Sequence, residues 1–392
     1  MTNQQVLYAK GLLPEGIRSR IITGVNGLAM HILEAGYETP GRPTLVLLHG
    51  FPEIAFSWRF QLSAFADAGY HVIAPDQRGY GLTTGWPQGY HIDLTAWRMD
   101  QLAGDIVALL DALEIPRAAC VIGHDFGSPV AAWASLLHPA RFGGTVLMSA
   151  PFGGPPPGNQ HQDQGTTRSK KPGLNQQLSQ LKPPRIHYQW YYSTPTAEAD
   201  LLSCQQGLTR FFLQYYQVKA AGWPENQPFP LTGRSAGEMA KLPHYYVMPL
   251  AETMPQTVAR MTNDCPSPVP DWLTDEVAGT YASIYKASGF QGGLNWYRAA
   301  ISGASASALS VWADRQINIP CCFIAGAEDW GIHQTPGALS RMETHACSAF
   351  QGTCLVSGAG HWVQQEQPEA VNQRILSFLT EVQDFHAQVI PD

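Results

Sequence analysis

Charged residues are scarce in this chain, and its few basic residues form no extended patch. Asp, Glu, Lys and Arg make up 14% of the 392 residues, and the formal net charge is −7. Proteins that bind nucleic acid carry Lys and Arg clustered on one face or along one helix. The one basic cluster, Arg168, Lys170 and Lys171, stands among Gly, Pro, Gln and Thr residues and is interpreted as a solvated loop. Nucleic acid is therefore excluded as the main partner.

Long apolar runs and targeting signals are also missing. No stretch reaches the ~18 consecutive apolar residues of a membrane-spanning helix. The N-terminal sequence MTNQQVLYAKGLLPEG lacks the basic and apolar regions of a signal peptide, and the final VIPD is no known address signal. Hydrophobic residues still make up 44% of the chain, enough for a large core. We therefore expect a folded, cytoplasmic protein without a membrane span, and its oligomeric state stays open, a homodimer included.

Cysteine pairs with regular spacing are absent. The seven cysteines cannot all pair within one chain, and none is spaced as Cys-x-x-Cys. Free, mostly buried thiols in a reducing compartment are the favoured interpretation, with a Cys347–Cys354 disulfide as the weaker alternative. Spacings typical of zinc sites are missing too, so we expect neither a metal nor an organic cofactor.

Strand and helix patterns alternate along the first 150 residues. Apolar strands such as TLVLL and AACVI alternate with helices such as MDQLAGDIVALLDA, which carries a leucine-rich stripe. A turn at Asn26-Gly27 joins two further strand patterns into a hairpin. This alternation predicts an α/β fold, with a mainly parallel sheet and helices on both of its faces.

The alternation is interrupted in the middle of the chain. Residues 151–185 are rich in Pro, Gly, Gln and Ser, and residues 186–305 are helical in pattern and crowded with aromatic side chains. Strand patterns return only at CCFIAGAED and GTCLVSGAGHW. We therefore expect a core formed by residues 1–150 and 306–392, with a helical segment inserted at 151–305 that begins with a Pro/Gly-rich loop.

The stretch AACVIGHDFGSPV places an aspartate where a sharp turn joins a buried strand to a helix. Strand, Gly-x-nucleophile-x-Gly and helix is the layout of a nucleophile elbow, in which the central residue is usually serine. Here it is Asp125, with Gly123 and Gly127 on either side. The N-terminus of the following helix would stabilise an anion at this position. The motif predicts that the Asp125 carboxylate is the nucleophile.

Three further motifs supply partners for Asp125 in the chain order that this layout requires. In this layout, two backbone N–H groups form an oxyanion hole. One comes from the residue after His-Gly in HGFPE and the other from the residue after the nucleophile, so Phe51 and Phe126 are the predicted donors. Asp329 follows the strand of CCFIAGAED, and His361 follows the next strand. We expect Asp329 to orient His361, with neighbouring Glu328 as the competing acid.

A second motif of this kind, GRSAG, places Ser235 ahead of Asp329 and His361 in the same order. It follows ENQPFPLT, which is loop sequence with two prolines rather than a buried strand. The motif requires a strand–turn–helix context, so Ser235 is not expected to be the nucleophile.

Taken together, HGFPE, APDQRGYG, GHDFG, GGLNWYR, EDW and GHW resemble the epoxide hydrolases of the α/β-hydrolase fold. The resemblance covers nearly the whole chain apart from the Pro/Gly-rich stretch near residues 151–180. It implies that the inserted helical segment is a cap and that two cap tyrosines hold the epoxide oxygen. GGLNWYR marks Tyr297 as one of them, and IHYQWYYS marks Tyr188 as the other, with Tyr191 and Tyr192 as alternatives.

The resemblance also explains a carboxylate at the elbow. An aspartate is ionised at neutral pH and, unlike serine, can attack a saturated epoxide carbon without first losing a proton. The resulting ester of Asp125 would be hydrolysed by water that His361 activates, which gives a vicinal diol. The expected substrate is a small apolar epoxide, because aromatic side chains crowd the cap.

Aromatic and neighbouring residues of the same motifs are predicted to line the substrate pocket. They are His49, Pro52, Trp190, Tyr191, Trp296, Trp330 and Trp362. Three alternatives stay open: a haloalkane- or haloacid-type dehalogenase that uses the same aspartate, a cyclase that opens epoxides with an internal hydroxyl, and a non-catalytic receptor. Phe126 weakens the dehalogenase alternative, because its ring has no N–H group to bind halide.

Overall fold

The computed structural model describes residues 12–157 and 173–389, and its central feature is an eight-stranded sheet. The described strands are β1 (Arg18–Val25), β2 (Leu28–Ala35), β3 (Thr44–Leu48), β4 (His71–Pro75), β5 (Ala118–His124), β6 (Phe142–Met148), β7 (Arg185–His187), β8 (Val247–Pro249), β9 (Cys321–Gly326) and β10 (Phe350–Val356). All except β7 and β8 belong to the large sheet.

Helices surround this sheet and fill the middle of the chain. The described helices are α1 (Arg59–Asp67), α2 (Met99–Ala112), α3 (Gly127–Leu137), α4 (Leu174–Ser179), α5 (Tyr188–Tyr192), α6 (Ala197–Leu202), α7 (Leu208–Gln217), α8 (Ala236–Met239), α9 (Met254–Asp264), α10 (Asp275–Ser288), α11 (Gln291–Ile301), α12 (Ala304–Leu309), α13 (Ala338–Arg341), α14 (Val363–Glu366) and α15 (Pro368–Val389).

The large sheet has the strand order β1-β2-β4-β3-β5-β6-β9-β10. The pairs β1–β2 and β2–β4 are antiparallel, and every other neighbouring pair is parallel. Asn26 and Gly27 form the turn between β1 and β2 with φ of 49° and 78°, the left-handed conformation that a tight hairpin requires. The predicted α/β fold with a mainly parallel sheet is confirmed.

The middle strands of the sheet are covered on both faces. Every residue of β3, β6 and β9 is buried, although side chains alternate between the two faces of a strand. Among the helices that cover the sheet, α2 packs against α3, and α1 packs against α15. The middle strands have continuous apolar sequences, such as TLVLL in β3, which are typical of strands that must be apolar on both sides.

The chain leaves the sheet after β6 and returns to it at β9. Helices α4 to α12 lie in between, together with a two-stranded antiparallel ribbon of β7 and β8. The inserted helical segment is therefore present, but the ribbon was not predicted, because three-residue strands carry too little pattern to recognise. The boundaries at residues 150/151 and 305/306 stay a prediction.

Part of the Pro/Gly-rich loop and the basic cluster Arg168, Lys170 and Lys171 lie outside the described residues. Within residues 12–157 and 173–389, no helix is both long enough and apolar enough to cross a membrane. All seven cysteines are free, and Cys347 lies next to Cys321, with 3.6 Å between the two sulfur atoms, rather than bonded to Cys354. The alternative of a Cys347–Cys354 disulfide is therefore wrong.

The turn between β5 and α3 requires small residues because the backbone of β3 approaches it closely. A Cβ atom on Gly127 would lie 2.1 Å from the carbonyl oxygen of Leu48. A Cβ atom on Gly123 would lie 2.0 Å from the carbonyl oxygen of Gly127 itself. Both contacts are with backbone, which cannot rotate away, so glycine at these positions brings α3 against the sheet.

Gly127→Ala is expected to destabilise the protein by about 1–3 kcal/mol, the usual effect of overpacking a tight site. The matched control is Gly279→Ala in the interior of α10, where a Cβ atom would meet nothing within 4 Å. That change is expected to stabilise the protein by up to about 1 kcal/mol, because alanine favours helix over glycine. Urea unfolding of both variants measures the difference, and equal effects would contradict the close contact.

Candidate active site

Asp125 occupies the turn at the carboxyl end of β5, directly before α3. Its φ is 50°, a left-handed conformation that few residues other than glycine adopt. The N–H of Asp125 donates to the carbonyl of Met148 at 3.2 Å, and its carbonyl accepts from the N–H of Ser128 at 3.1 Å. Strained backbone held in place by its surroundings is concentrated at functional sites. The side chain stays 14% exposed, although the turn itself is tightly packed.

The loop after β3 brings a backbone donor to Asp125. The N–H of Phe51 donates to Oδ1 of Asp125 at 3.0 Å. A Cβ atom on the preceding Gly50 would lie 2.3 Å from Asp125, so only glycine allows this approach. Phe126, the other predicted donor, precedes the first residue of α3. Phe51 therefore donates to the Asp125 carboxylate in the resting site, whereas the role of the Phe126 N–H stays a prediction.

His361 lies between two carboxylates. Its Nε2 is 3.4 Å from Oδ2 of Asp125, and its Nδ1 is 3.1 Å from Oδ1 of Asp329. Asp329 also accepts the N–H of Gly331 at 2.6 Å, which fixes the carboxylate. Glu328, the competing acid, instead accepts the N–H of Gly222 at 2.8 Å. The structure therefore brings together Asp125, His361 and Asp329, as the motifs predicted.

The carboxylates of Asp125 and Asp329 determine the protonation state of the His361 imidazole. Burial acts against a charged imidazole, but the charge of Asp329 and the hydrogen bond with Asp125 outweigh it and raise the pKa of His361 to about 9. Burial would raise the pKa of Asp125, but the hydrogen bond and the charge of His361 outweigh burial and lower that pKa well below its usual range. The resting site therefore holds an imidazolium between two carboxylates at neutral pH.

A second buried network lies behind His361, and the motif analysis missed it. His124 Nδ1 is 2.7 Å from Oε2 of Glu53, and His124 Nε2 is 2.7 Å from the carbonyl oxygen of His361. The other oxygen of Glu53 accepts from the side-chain amides of Gln364 at 2.9 Å and Gln365 at 3.0 Å. Glu53 stands in HGFPE and His124 in GHDFG, so a signal was present. Only the fold shows that both side chains point away from solvent and toward each other.

Tyr188 and Tyr297 come from different helices of the inserted segment and meet above the elbow. Their ring centroids are 5.7 Å apart, and the Tyr297 ring packs on Phe126 at 4.7 Å and on Phe51 at 5.3 Å. The unpredicted ribbon positions the first of them, because the N–H of Tyr188, directly after β7, donates to the carbonyl of Tyr246 at 2.8 Å. Both phenols therefore belong to the aromatic layer directly over the Asp125 turn.

The alternatives to Tyr188 make other contacts. The hydroxyl of Tyr191 donates to Asp200 at 3.1 Å, so it is already engaged. Tyr192 has a buried hydroxyl without a hydrogen-bond partner among the described residues, and its ring lies 5.1 Å from that of Tyr297. Tyr188, in contrast, lines the same cavity as Asp125.

This cavity has a volume of about 160 Å³. The residues that line it combine apolar and polar groups and are Asp125, Phe126, Pro129, Ala150, Pro151, His187, Tyr188, Gln189, Arg234, Gly331, Gln334 and Thr335. Asp125 is the only carboxylate among them. In the part of the chain that the structure describes, no group of three His, Cys, Asp or Glu side chains is arranged to hold a metal ion.

Among the described residues, none of the predicted substrate-binding residues belongs to the wall of this cavity. Three of the tryptophans donate their ring N–H to main-chain carbonyls: Trp296 to Arg78 at 2.9 Å, Trp330 to Glu225 at 3.1 Å, and Trp362 to Tyr216 at 2.9 Å. His49 accepts the N–H of Gln77 at 3.1 Å, and the carbonyl of Pro52 accepts the hydroxyl of Tyr216 at 3.4 Å. Trp190 and Tyr191 are neighbouring residues of the short helix α5. Their role toward substrate stays a prediction.

Ser235 occupies a different environment from Asp125. It is exposed, precedes the short helix α8, and its side chain accepts the N–H of Glu238 at 3.3 Å. Helix capping explains a serine here without any catalytic function.

Comparison with known proteins agrees with this geometry. Residues 43–183 match the family described as alpha/beta hydrolase fold. The chain is 31% identical over 368 residues to epoxide hydrolase A of Mycobacterium tuberculosis, which covers 93% of this chain and 98% of that protein. The chain belongs to the epoxide hydrolase family.

Other members of the epoxide hydrolase family share the architecture along their whole length. The structure of an epoxide hydrolase from an endophytic Streptomyces superposes with a TM-score of 0.74 at 28% identity, covering 95% of this chain and 97% of that one. Epoxide hydrolase I of potato, Solanum tuberosum, superposes with a TM-score of 0.70 at 25% identity, covering 93% and 99%. These two structures therefore match the inserted helical segment of this chain as well as its sheet.

The raised pKa of His361 can be measured directly. In an NMR titration of the histidine rings, His361 is expected to titrate near pH 9, and Asp125→Asn is expected to lower that midpoint because it removes one carboxylate. Because the pKa of His361 is higher in the folded than in the unfolded chain, its ion pairs stabilise the fold fully below pH ~6.5. This stabilisation is lost as the pH rises through about 9. A midpoint near 6.5 in the wild type would contradict the arrangement.

Proposed function

We propose that this chain hydrolyses an epoxide to a vicinal diol through a covalent ester on Asp125. One observation carries the proposal. The Asp125 carboxylate lies in the wall of a cavity, with the Phe51 N–H on one oxygen at 3.0 Å and His361 on the other at 3.4 Å. A carboxylate held in this way is ionised, accessible and already next to the histidine that later acts as the base.

In the first half-reaction, Oδ2 of Asp125 attacks a ring carbon of the epoxide. The new C–O bond forms as the bond from that carbon to the ring oxygen breaks, and the ring oxygen takes the electron pair. A phenol proton from Tyr188 or Tyr297 then neutralises the alkoxide. Their pKa values lie well above the ordinary value, because burial and the Asp125 charge disfavour phenolate, so both phenols hold their protons until this step.

After the ester has formed, the proton of the His361 imidazolium returns to the phenolate left by the first step, which leaves a neutral imidazole. In the second half-reaction, this imidazole takes a proton from water, and hydroxide attacks the carbonyl carbon of the ester. Oδ1 already accepts the Phe51 N–H in the resting site, at a distance that suits an oxyanion-hole donor. The negative charge therefore develops on an oxygen whose donor is in place, and the Phe126 N–H is the second donor. Collapse of this intermediate breaks the bond between the carbonyl carbon and Oδ2. The proton that His361 took from water passes to Oδ2, and the diol leaves with this oxygen.

We propose that residues 151–305 act as a cap that covers this site. The support is that Tyr188, Gln189 and Arg234 from this segment line the cavity opposite Asp125. The segment thus contributes groups that no strand of the sheet could place there.

The proposed substrate is a small epoxide whose ring reaches Asp125 between apolar groups. Phe126, Pro129 and Pro151 supply apolar surface next to the carboxylate. The remainder of the wall includes His187, Gln189 and Gln334, so a substrate with a polar substituent away from the ring is accommodated as well.

One turnover in ¹⁸O-labelled water tests the covalent step. With enzyme in excess over a reactive aryl epoxide, the label is expected in the Asp125 carboxylate, and the diol is expected to carry the unlabelled oxygen that came from Oδ2. Mass spectrometry of the Asp125 peptide and of the diol provides both readouts. Asp125→Asn serves as the control and is expected to form no ester.

A label found only in the diol, with an unlabelled Asp125 peptide, would mean that water attacks the epoxide directly. Halide release from a haloalkane without any diol from an epoxide would instead assign the same carboxylate to dehalogenation.

The two phenols are tested by Tyr297→Phe and Tyr188→Phe. Each variant is expected to lose about 10²–10⁴ in the rate of ester formation, because it removes a general acid. Tyr70→Phe is the matched control, because Tyr70 lies at the amino-terminal end of β4, whereas Asp125 follows the carboxyl end of the parallel strand β5. Rapid-mixing measurement of ester formation is the readout, and full activity in both variants would refute the assignment of these tyrosines.

A further inference from the structure

Lys219 is a buried lysine that the mechanism above does not use. It follows α7, and only 3% of its surface is exposed. Within the described residues, its ammonium group forms no salt bridge with any carboxylate. Lysine is rarely buried without a charged partner, because removing its charge from water is costly. A buried lysine of this kind therefore requires an explanation.

Aromatic rings replace the missing carboxylate. Five ring centroids lie within cation–π distance of the Lys219 Nζ atom. They belong to Tyr246 at 4.7 Å, Tyr215 at 4.9 Å, Trp362 at 5.5 Å, Tyr245 at 5.7 Å and Tyr188 at 6.0 Å. We call these five residues the aromatic cage. Two of them link it to the proposed site, because Tyr188 lines the cavity and Trp362 follows His361 in the chain.

The main chain at Lys219 is fixed to the loop that carries His361. The N–H of His361 donates to the carbonyl of Lys219 at 2.9 Å. A Cβ atom on Gly360 would lie 2.5 Å from that same carbonyl oxygen, so glycine allows the two backbones to touch. Glu366 closes the contact, because one carboxylate oxygen accepts the N–H groups of Ala221 at 2.7 Å and Gly360 at 3.0 Å. The main chain at Lys219 is therefore held in place relative to the His361 loop.

We propose that Lys219 is a positioning residue for the second half-reaction: its caged ammonium opposes positive charge on His361, so that the imidazole is a neutral base once Asp125 is an ester. This inference rests on the proposed function, because it assigns Lys219 a part in hydrolysis of that ester.

The electrostatic requirement follows from the resting site. Between Asp125 and Asp329, His361 holds a proton and cannot accept one from water. Esterification removes the Asp125 charge, whereas the Asp329 charge remains and still favours imidazolium. Burial still favours the neutral ring, and a fixed cation nearby adds to that effect, because the Lys219 charge also lowers the pKa of His361. A carboxylate bound to Lys219 would cancel this field, whereas aromatic rings hold the ammonium and leave its charge in place.

Other titratable groups also face His361 and must be kept constant in any test. From the elements packed around it they are Asp125, Asp329, His124, Glu53 behind His124, Glu366, and the cage tyrosines Tyr188, Tyr215, Tyr245 and Tyr246. A change at Lys219 substitutes none of these side chains, although the Lys219 charge also helps to lower the pKa of Asp125 in the resting site.

The test separates the two half-reactions as a function of pH in Lys219→Met and Lys219→Arg. Quenched-flow mass spectrometry measures the formation and decay of the alkyl ester in the full-length enzyme with an aryl epoxide. In Lys219→Met, the midpoint for ester decay is expected to shift upward by about 1 pH unit, which slows decay about 10-fold below the midpoint. Ester formation is expected to change less than about 3-fold, so the ester accumulates. Lys219→Arg is expected to keep the wild-type midpoint, because it keeps the charge.

Lys241→Met is the matched control, since Lys241 lies on the surface of the same inserted segment, paired with Glu238 at 2.5 Å. It is expected to leave both half-reactions unchanged. An unshifted midpoint in Lys219→Met would overturn the inference, and so would equal slowing of both half-reactions with an unchanged midpoint, which indicates a purely structural role. If the wild-type enzyme forms no ester at all, the proposed function fails instead, and the two failures are distinguishable.

Discussion

The contact between His361 and two carboxylates is the constraint on which the proposed chemistry depends. Each partner alters the others: Asp125 and Asp329 keep the imidazole protonated, and the imidazole keeps Asp125 ionised. A resting site of this kind favours nucleophilic attack and prevents premature base catalysis. In the proposed mechanism, the same histidine becomes a base only after Asp125 loses its charge, so the order of the two half-reactions follows from electrostatics.

Close backbone packing makes this contact possible. Gly50 lets the loop after β3 reach Asp125, Gly127 lets α3 approach β3, and Gly360 lets the His361 loop touch the segment at Lys219. In each case the neighbour that a Cβ atom would meet is backbone or the Asp125 side chain. Three glycines from distant parts of the sequence therefore determine how closely the sheet, the turn and the inserted segment meet.

Much of the sheet and of the triad could be predicted because the signals are local. Apolar strand sequences specify burial on both faces, and the residue after each strand must lie at the carboxyl edge of a parallel sheet. Asp125 follows β5 directly, whereas Asp329 and His361 lie in the short loops after β9 and β10. Chain order alone therefore places all three at one edge. The ribbon of β7 and β8 and the network of Glu53 with His124 could not be predicted, since short strands and buried ionic pairs leave no periodicity in the sequence.

The sequence by itself determined the fold class, the elbow, the order of the triad and the family to which the chain belongs, because these depend on residues close together in the chain. Only the tertiary structure decided which tyrosine shares a cavity with Asp125, that Tyr191 is engaged by Asp200, and that a buried lysine lies among five aromatic rings near His361. These contacts join residues that are far apart in the sequence. They depend on how the inserted helices pack over the sheet, which the pattern of any single segment does not specify.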